Sequence, residues 1–317
     1  MIEAALSRSA ALTLMAGGAL AAALPAAAQT APATVRMGAM AIDAFGEAYF
    51  GNDAGIFAGN GIKPEITTLG NGASIMSAVV GGDLDVGMAN TVNVAGAIAR
   101  GIPLLMIAPA SLYSKRDSAP NLMVAKDSPI KSAKDFAGTT IAISALGDFN
   151  QLALLAYLDT NGVPRNSVKF VELKFGEMGA ALQRGTVAGA IITEPAKTDA
   201  KNAGQVRDFA DTYSAVAPEF ATIVWFTTKS WLQKNPETAK KLVSGIYATA
   251  KWANAHTAES APMLAKVAKM DPAMVAGMRR LYYATANDKK YIEGTLTLAS
   301  RYGMLPRPVT VEEYTAP

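Results

Sequence analysis

The sequence predicts an α/β protein of two similar lobes built on mostly parallel sheets. Three observations carry this expectation. Short β-rich runs alternate with helical periods from Val35 to Thr228, and the alternation restarts on the same plan near Thr139. A repeated Gly followed by a short strand, Gly82-Asp83-Leu84-Asp85-Val86 and Gly185-Thr186-Val187-Ala188-Gly189-Ala190, marks the echo. The length of 317 residues leaves 289 after an expected leader of 28, too many for one small core.

The leader is read from residues 1–28. Arg8 and the amino terminus make a thin positive start, diluted by Glu3; Ala10 to Leu24 is apolar, and Ala26-x-Ala28 supplies the small residues of a cleavage site. Cleavage is expected after Ala28, because about 15 apolar residues are short for a membrane span. The chain has no cysteine, so no disulfide framework, no thiolate metal site and no acylated cysteine at the cleavage point is expected. An exported protein without a lipid anchor fits the periplasm. The net charge of +3, without basic clusters, gives no footprint for nucleic acid. Beyond Leu24 no apolar run approaches the length of a membrane span.

The elements follow in order. Val35–Ala39 reads as a strand, Phe45 to Asn60 as a helix interrupted at Gly51 and Gly55, and Gly61–Leu69 as a strand. Asn71-Gly72-Ala73-Ser74 opens a helix ended by Gly81-Gly82, Leu84–Met88 is a strand, and Val92 to Arg100 is a helix closed by Gly101. Pro103–Ala110 is a strand; Ser111 to Pro120 is polar and irregular, and Leu122–Ala125 leaves the first lobe as a strand. The second unit has strands at 139–143, 168–173 and 188–192, with helices from Phe149 to Asn161 and from Gly176 to Gly185. Ala221 to Thr228 is β-prone and returns the chain to the first lobe. Thereafter helices are expected at 237–256, 258–268, 272–282 and 289–302, the third begun by Asp271 as cap and Pro272 at the first position.

The chain resembles the exported solute-binding proteins of ABC importers, in the nitrate, sulfonate and taurine group that also contains thiamine-precursor pyrimidine binders. The resemblance rests on Gly55-Ile56-Phe57 with Gly61-Ile62-Lys63-Pro64-Glu65, on Ala78-Val79-Val80-Gly81-Gly82-Asp83-Leu84-Asp85-Val86-Gly87, on Asp135-Phe136-Ala137-Gly138, on Thr193-Glu194-Pro195 and on Asn235-Pro236-Glu237. It implies a two-lobed periplasmic-binding-protein fold (type II), with a ligand cleft between lobe 1 (29–112 and 226–317) and lobe 2 (113–225). It further implies capture of a small organic solute by cleft closure and its delivery to an ABC permease in the inner membrane, by a monomer that needs no cofactor.

In that fold the solute lies at the carboxyl ends of strands, where helix amino termini offer unpaired N–H groups. The candidate contacts are therefore Ile42, Asp43 and Phe45 after the first strand; Asn71, Gly72, Ala73 and Ser74 after the second; and Asn90 and Thr91 after the third. In the second lobe they are Ser144, Asp148, Phe149, Glu177, Met178, Thr193 and Glu194, with Trp225 added if the returning strand lines the cleft. Gly72 lets backbone approach a ligand, Asp43 and Asp148 suit an amine, and Phe45, Phe149 and Trp225 suit a planar or apolar body. These loops contain no Lys, Arg or His, which disfavours a small inorganic anion and favours a sulfonate-like, aromatic-acid or pyrimidine-like organic solute.

Catalysis is not expected. His256, the only histidine, falls in an Ala-rich helical segment, and neither a Gly-x-Ser-x-Gly elbow nor a metal-spaced carboxylate cluster is present. Two alternatives stay open: a sensor that presents its closed form to a membrane receptor, and a pyrimidine-synthesis enzyme of the same fold.

Overall fold

The computed structural model describes residues 31–316 except Ser118 and Pro120. The expected leader and its cleavage point lie outside the described residues.

Among the described residues thirteen strands form three sheets. The first sheet holds β1 (Ala33–Ala39), β2 (Ile62–Thr68), β3 (Val86–Asn90) and β4 (Leu104–Pro109), with β12 (Ile223–Thr228), in the order β2-β1-β3-β12-β4. β1 runs parallel to β2 and β3, and only β12 is antiparallel to its neighbours. The second sheet holds β6 (Leu122–Ala125), β7 (Thr140–Ile143), β8 (Lys169–Glu172), β9 (Gly189–Ile191) and β10 (Val206–Ala210), in the order β8-β7-β9-β6-β10. There β6 is the antiparallel strand. The two sheets thus share one topology, and in each the antiparallel strand is the one the chain enters on arriving from the other sheet. This is the two-lobed α/β arrangement that the repeated sequence plan predicts.

The crossings pair with each other. β5 (Ser111–Ser114) lies antiparallel to β11 (Glu219–Ala221), and β13 (Tyr282–Tyr283) adds to the other side of β5. Ser111–Ser114, read as irregular from sequence, is a strand because Leu112 and Tyr113 are buried there. The division drawn after Trp225 falls inside β12, which begins at Ile223. Tyr113, Phe149, Tyr213 and Phe220 pack ring against ring at the crossings, Tyr113 stacked on Phe220 at 5.0 Å between centroids. One large apolar core surrounds the first sheet, and two smaller cores flank the second.

Two helix boundaries differ from the periodicity. The helix expected from Phe45 to Asn60 breaks into Gly46–Asp53 and Ile56–Gly59, because Gly55 takes a left-handed φ of 70°. The helix expected over 272–282 stops at Gly277, so residues 278–281 form a loop leading into β13. Among the described residues no helix is long and apolar enough to cross a membrane.

Candidate functional site

Parallel strands from both sheets end on one cleft. Its volume is about 1270 Å³, and its walls include Met40 and Ile42 after β1, Gly70 to Ala73 after β2, and Asn90 at the end of β3. From the second lobe come Ser144 to Asn150 after β7, Glu172 to Phe175 at the end of β8, and Ile192 to Glu194 after β9.

Three helices begin at this cleft with a side-chain cap, as short polar residues before apolar runs require. Asn71 Oδ1 accepts from Ser74 N at 2.8 Å, Asn90 Oδ1 from Asn93 N at 2.9 Å, and Asp148 Oδ1 from Gln151 N at 2.9 Å. The third cap is part of a chain: Ser144 Oγ and Asn150 Nδ2 donate to Asp148 Oδ2, and Tyr213 OH donates to Asn150 Oδ1 at 2.7 Å. Burial pushes the Asp148 carboxyl up to about 6, against the pull of these donors. Burial and the nearby Asp148 also raise the Tyr213 phenol, which stays a donor. Glu194 pairs with Lys197 at 3.2 Å and accepts from Thr198 N. Thr193 Oγ1 is buried with no hydrogen-bond partner among the described residues, an unusual state away from a ligand or water.

Of the candidate contacts, Ile42, Phe45, Asn71, Gly72, Ala73, Asn90, Ser144, Asp148, Phe149, Thr193 and Glu194 line the cleft. The others do not, each for a physical reason. Asp43 is fully buried and held by Arg280, whose guanidinium lies 2.7 Å from Oδ1. Thr91 is buried and donates to Ala221 O, while Ser74 lies past the cap on the exposed side of its helix. Glu177 sits exposed in the first turn of Phe175–Gln183, and Met178 points the other way into the core of the second lobe. Trp225 is fully buried in the interior strand β12, where its Nε1 donates to Glu47 Oε2 at 2.7 Å. His256 lies between two helices, stacked on Trp252 and bonded to its carbonyl.

The expectation of a cleft without cations is corrected. Arg100, Lys174, Lys197, Arg279 and Arg280 all line it. Arg100 ends a helix instead of following a strand, so the strand-end rule passes over it. Lys174 follows β8, which ends at Glu172, one residue short of the expected strand, and Lys197 lies in the first turn of the helix after Glu194. Arg279 and Arg280 come from the loop hidden inside an overlong helix; Gly277, a stop signal, marks it. Lys197 and Arg280 are paired, whereas Arg100, Lys174 and Arg279 have no side-chain partner among the described residues. Val80, Leu146, Leu281 and Tyr282 are the large apolar side chains left exposed among the described residues, and all four line the same cleft.

A cleft walled by strand ends of two matching lobes defines the periplasmic-binding-protein class of fold. Within that class the chain belongs to the NMT1/THI5-like family, which matches residues 44–260. Every motif quoted for the resemblance lies inside those residues. Over 171 residues the chain is 30% identical to the taurine-binding periplasmic protein of Escherichia coli (strain K12), covering 54% of this chain and 51% of that protein. The match therefore spans about half the length of that curated relative. In structure the chain is similar to the periplasmic aliphatic sulphonate binding protein SsuA from Escherichia coli, with a TM-score of 0.73, 18% identity, and 90% and 93% of the two chains covered. It is also similar to the desulfurization enzyme DSZB, with a TM-score of 0.66, 16% identity, and 90% and 96% covered. At these identities the structural likenesses show the fold, which one of the two uses for catalysis.

Proposed function

We propose that this protein is the solute-binding component of an ABC importer. It captures a small organic solute, sulfonate-like, aromatic-acid or pyrimidine-like, by cleft closure and delivers it to a permease in the inner membrane. It works in the periplasm as a monomer without a lipid anchor, and it binds without catalysing. The observation that carries the reading is the convergence of six parallel-strand ends, three from each lobe, on one cleft of about 1270 Å³. A site of that build takes a solute at the crevice beyond the carboxyl ends of strands. The paired crossings β5 and β11 supply two short segments about which the lobes close. The taurine-binding relative and the family membership support the transport role.

The test is a thermal-shift screen of the purified protein against alkyl and aryl sulfonates, aromatic carboxylates, aminopyrimidines, nitrate and bicarbonate. A ligand at about 100 times its dissociation constant adds roughly 2.7 kcal/mol and raises the melting temperature visibly. A shift with an organic member supports the reading. Turnover of that member on incubation, followed by mass spectrometry, overturns the binding-only part.

A further inference from the structure

We propose that the segment Met278–Tyr283 selects the solute: Arg279 receives an anionic group, Leu281 and Tyr282 hold an apolar portion, and buried Asp43 positions the segment without touching the solute. The inference rests on the reading of the cleft as a solute site. Arg279 is one of three cleft cations without a side-chain partner among the described residues, and the backbone that follows it is fixed at two places. On one side Asp43 Oδ1 accepts from Arg280 Nε at 2.8 Å, and Oδ2 accepts from Leu281 N at 2.8 Å. Arg280 Nη1 reaches Ser260 Oγ and the Thr257 carbonyl, and Tyr283 OH donates to the Asp43 carbonyl at 2.5 Å. On the other side Asn254 donates to Tyr283 O and accepts from Tyr283 N, both at 2.9 Å, and Tyr282 pairs with Leu112 in the crossing sheet.

The charges divide accordingly. Asp43 and Arg280 neutralise each other out of water, which leaves Arg279 as the free charge of the segment. Its planar guanidinium matches the two oxygens of a carboxylate or two of the three of a sulfonate, and a fixed backbone lowers the ordering cost of that contact. Beside it Leu281 is 37% and Tyr282 54% exposed, and both line the cleft. A cation and an apolar surface on one fixed segment select an organic anion with an apolar body over its neutral isostere.

Isothermal titration with isosteric probes tests this: benzenesulfonate against benzenesulfonamide, and benzoate against benzamide. The wild type should prefer the anion of a pair by roughly tenfold or more, the size of one charge-assisted hydrogen bond. Arg279→Ala should remove that preference while leaving the amide's affinity unchanged, and Arg279→Lys should retain part of it. Asp43→Asn should lower affinity for the anion more than for the amide, because the loosened segment carries the cation as well as the apolar contacts that both probes share, a split that general unfolding would not produce. Should Asp43→Asn not fold, Asn254→Ala loosens the other anchor and should give the same split. Equal anion affinity in Arg279→Ala and wild type overturns the selector; equal losses for anion and amide in the anchor variants overturn the positioning role. Failure of the wild type to bind any probe or any member of the thermal-shift panel is a different result, and it overturns the cleft reading itself.

Discussion

Glu47 is fully buried in the first lobe. It accepts the Trp225 indole N–H through one oxygen, while Oε1 is buried with no partner among the described residues. Burial pushes this carboxyl up to about 8, the Trp225 bond only partly opposing it. The folded state therefore holds a proton that the unfolded chain, titrating near 4.5, has released. Stability from this group is full below about pH 4.5 and falls as pH rises toward 8, by at most roughly 1.4 kcal/mol per pH unit. Glu47→Gln keeps an acceptor for Trp225 and has no proton to lose. Denaturant melts at pH 5.5 and 8.5 should show a smaller loss of stability in the variant than in the wild type; equal losses would exclude Glu47 as the source. Asp148 follows the same logic inside the cleft, with its carboxyl at about 6. Benzenesulfonate stays ionised throughout, so its affinity should rise about fivefold from pH 7.5 to 5 as this carboxylate is neutralised, the size of one unit charge at several ångström. Asp148→Asn keeps a capping oxygen and should bind nearly independently of pH over that range.

At the scale of elements, the helix starts are both structure and site. Asn71 caps Gly72–Gly81 and also lines the cleft, so its two roles separate by substitution. Asn71→Ala should cost about 1 kcal/mol of stability through the lost cap. Asn71→Ser restores the cap with a shorter side chain, so it should recover the stability and leave any loss of solute affinity in place; full recovery of both would reduce Asn71 to a cap. Such caps were legible in the sequence because cap and helix are neighbours in the chain. The same holds for the caps Asn90 and Asp148, which the sequence marks in the same way. What escaped is set by distant partners. β13 is two residues long and exists only because β5, about 170 residues earlier, pairs with it, so the Arg279 loop read as helix. Trp225 is a cleft candidate only if its strand lines the cleft, yet β12 lies between β3 and β4 with both faces covered, which no local pattern reports. Asp43 looked like an open loop acid because its counter-ion lies 237 residues away.

At the scale of the whole molecule, the repeated topology gives two lobes that face each other across the cleft and connect through paired strands. Val80, Leu281 and Tyr282 stand on the first-lobe side, and Leu146, 57% exposed after β7, stands on the other. Apolar groups exposed at the lips of a cleft are stabilised when it shuts, so a solute that favours the shut state gains from their burial. Two observables follow. Binding should carry a negative heat-capacity change, and the radius of gyration from small-angle scattering should contract on saturation with a solute found by the screen. Leu146→Ser separates closure from folding, because this side chain contributes little to the open form. Its unliganded stability should stay within about 0.5 kcal/mol of wild type. Its affinity should fall about fivefold, the share of a leucine's burial that a partly covered lip position recovers. Unchanged affinity, or saturation without contraction, would mean that the solute binds to one lobe and the apolar lips serve something else.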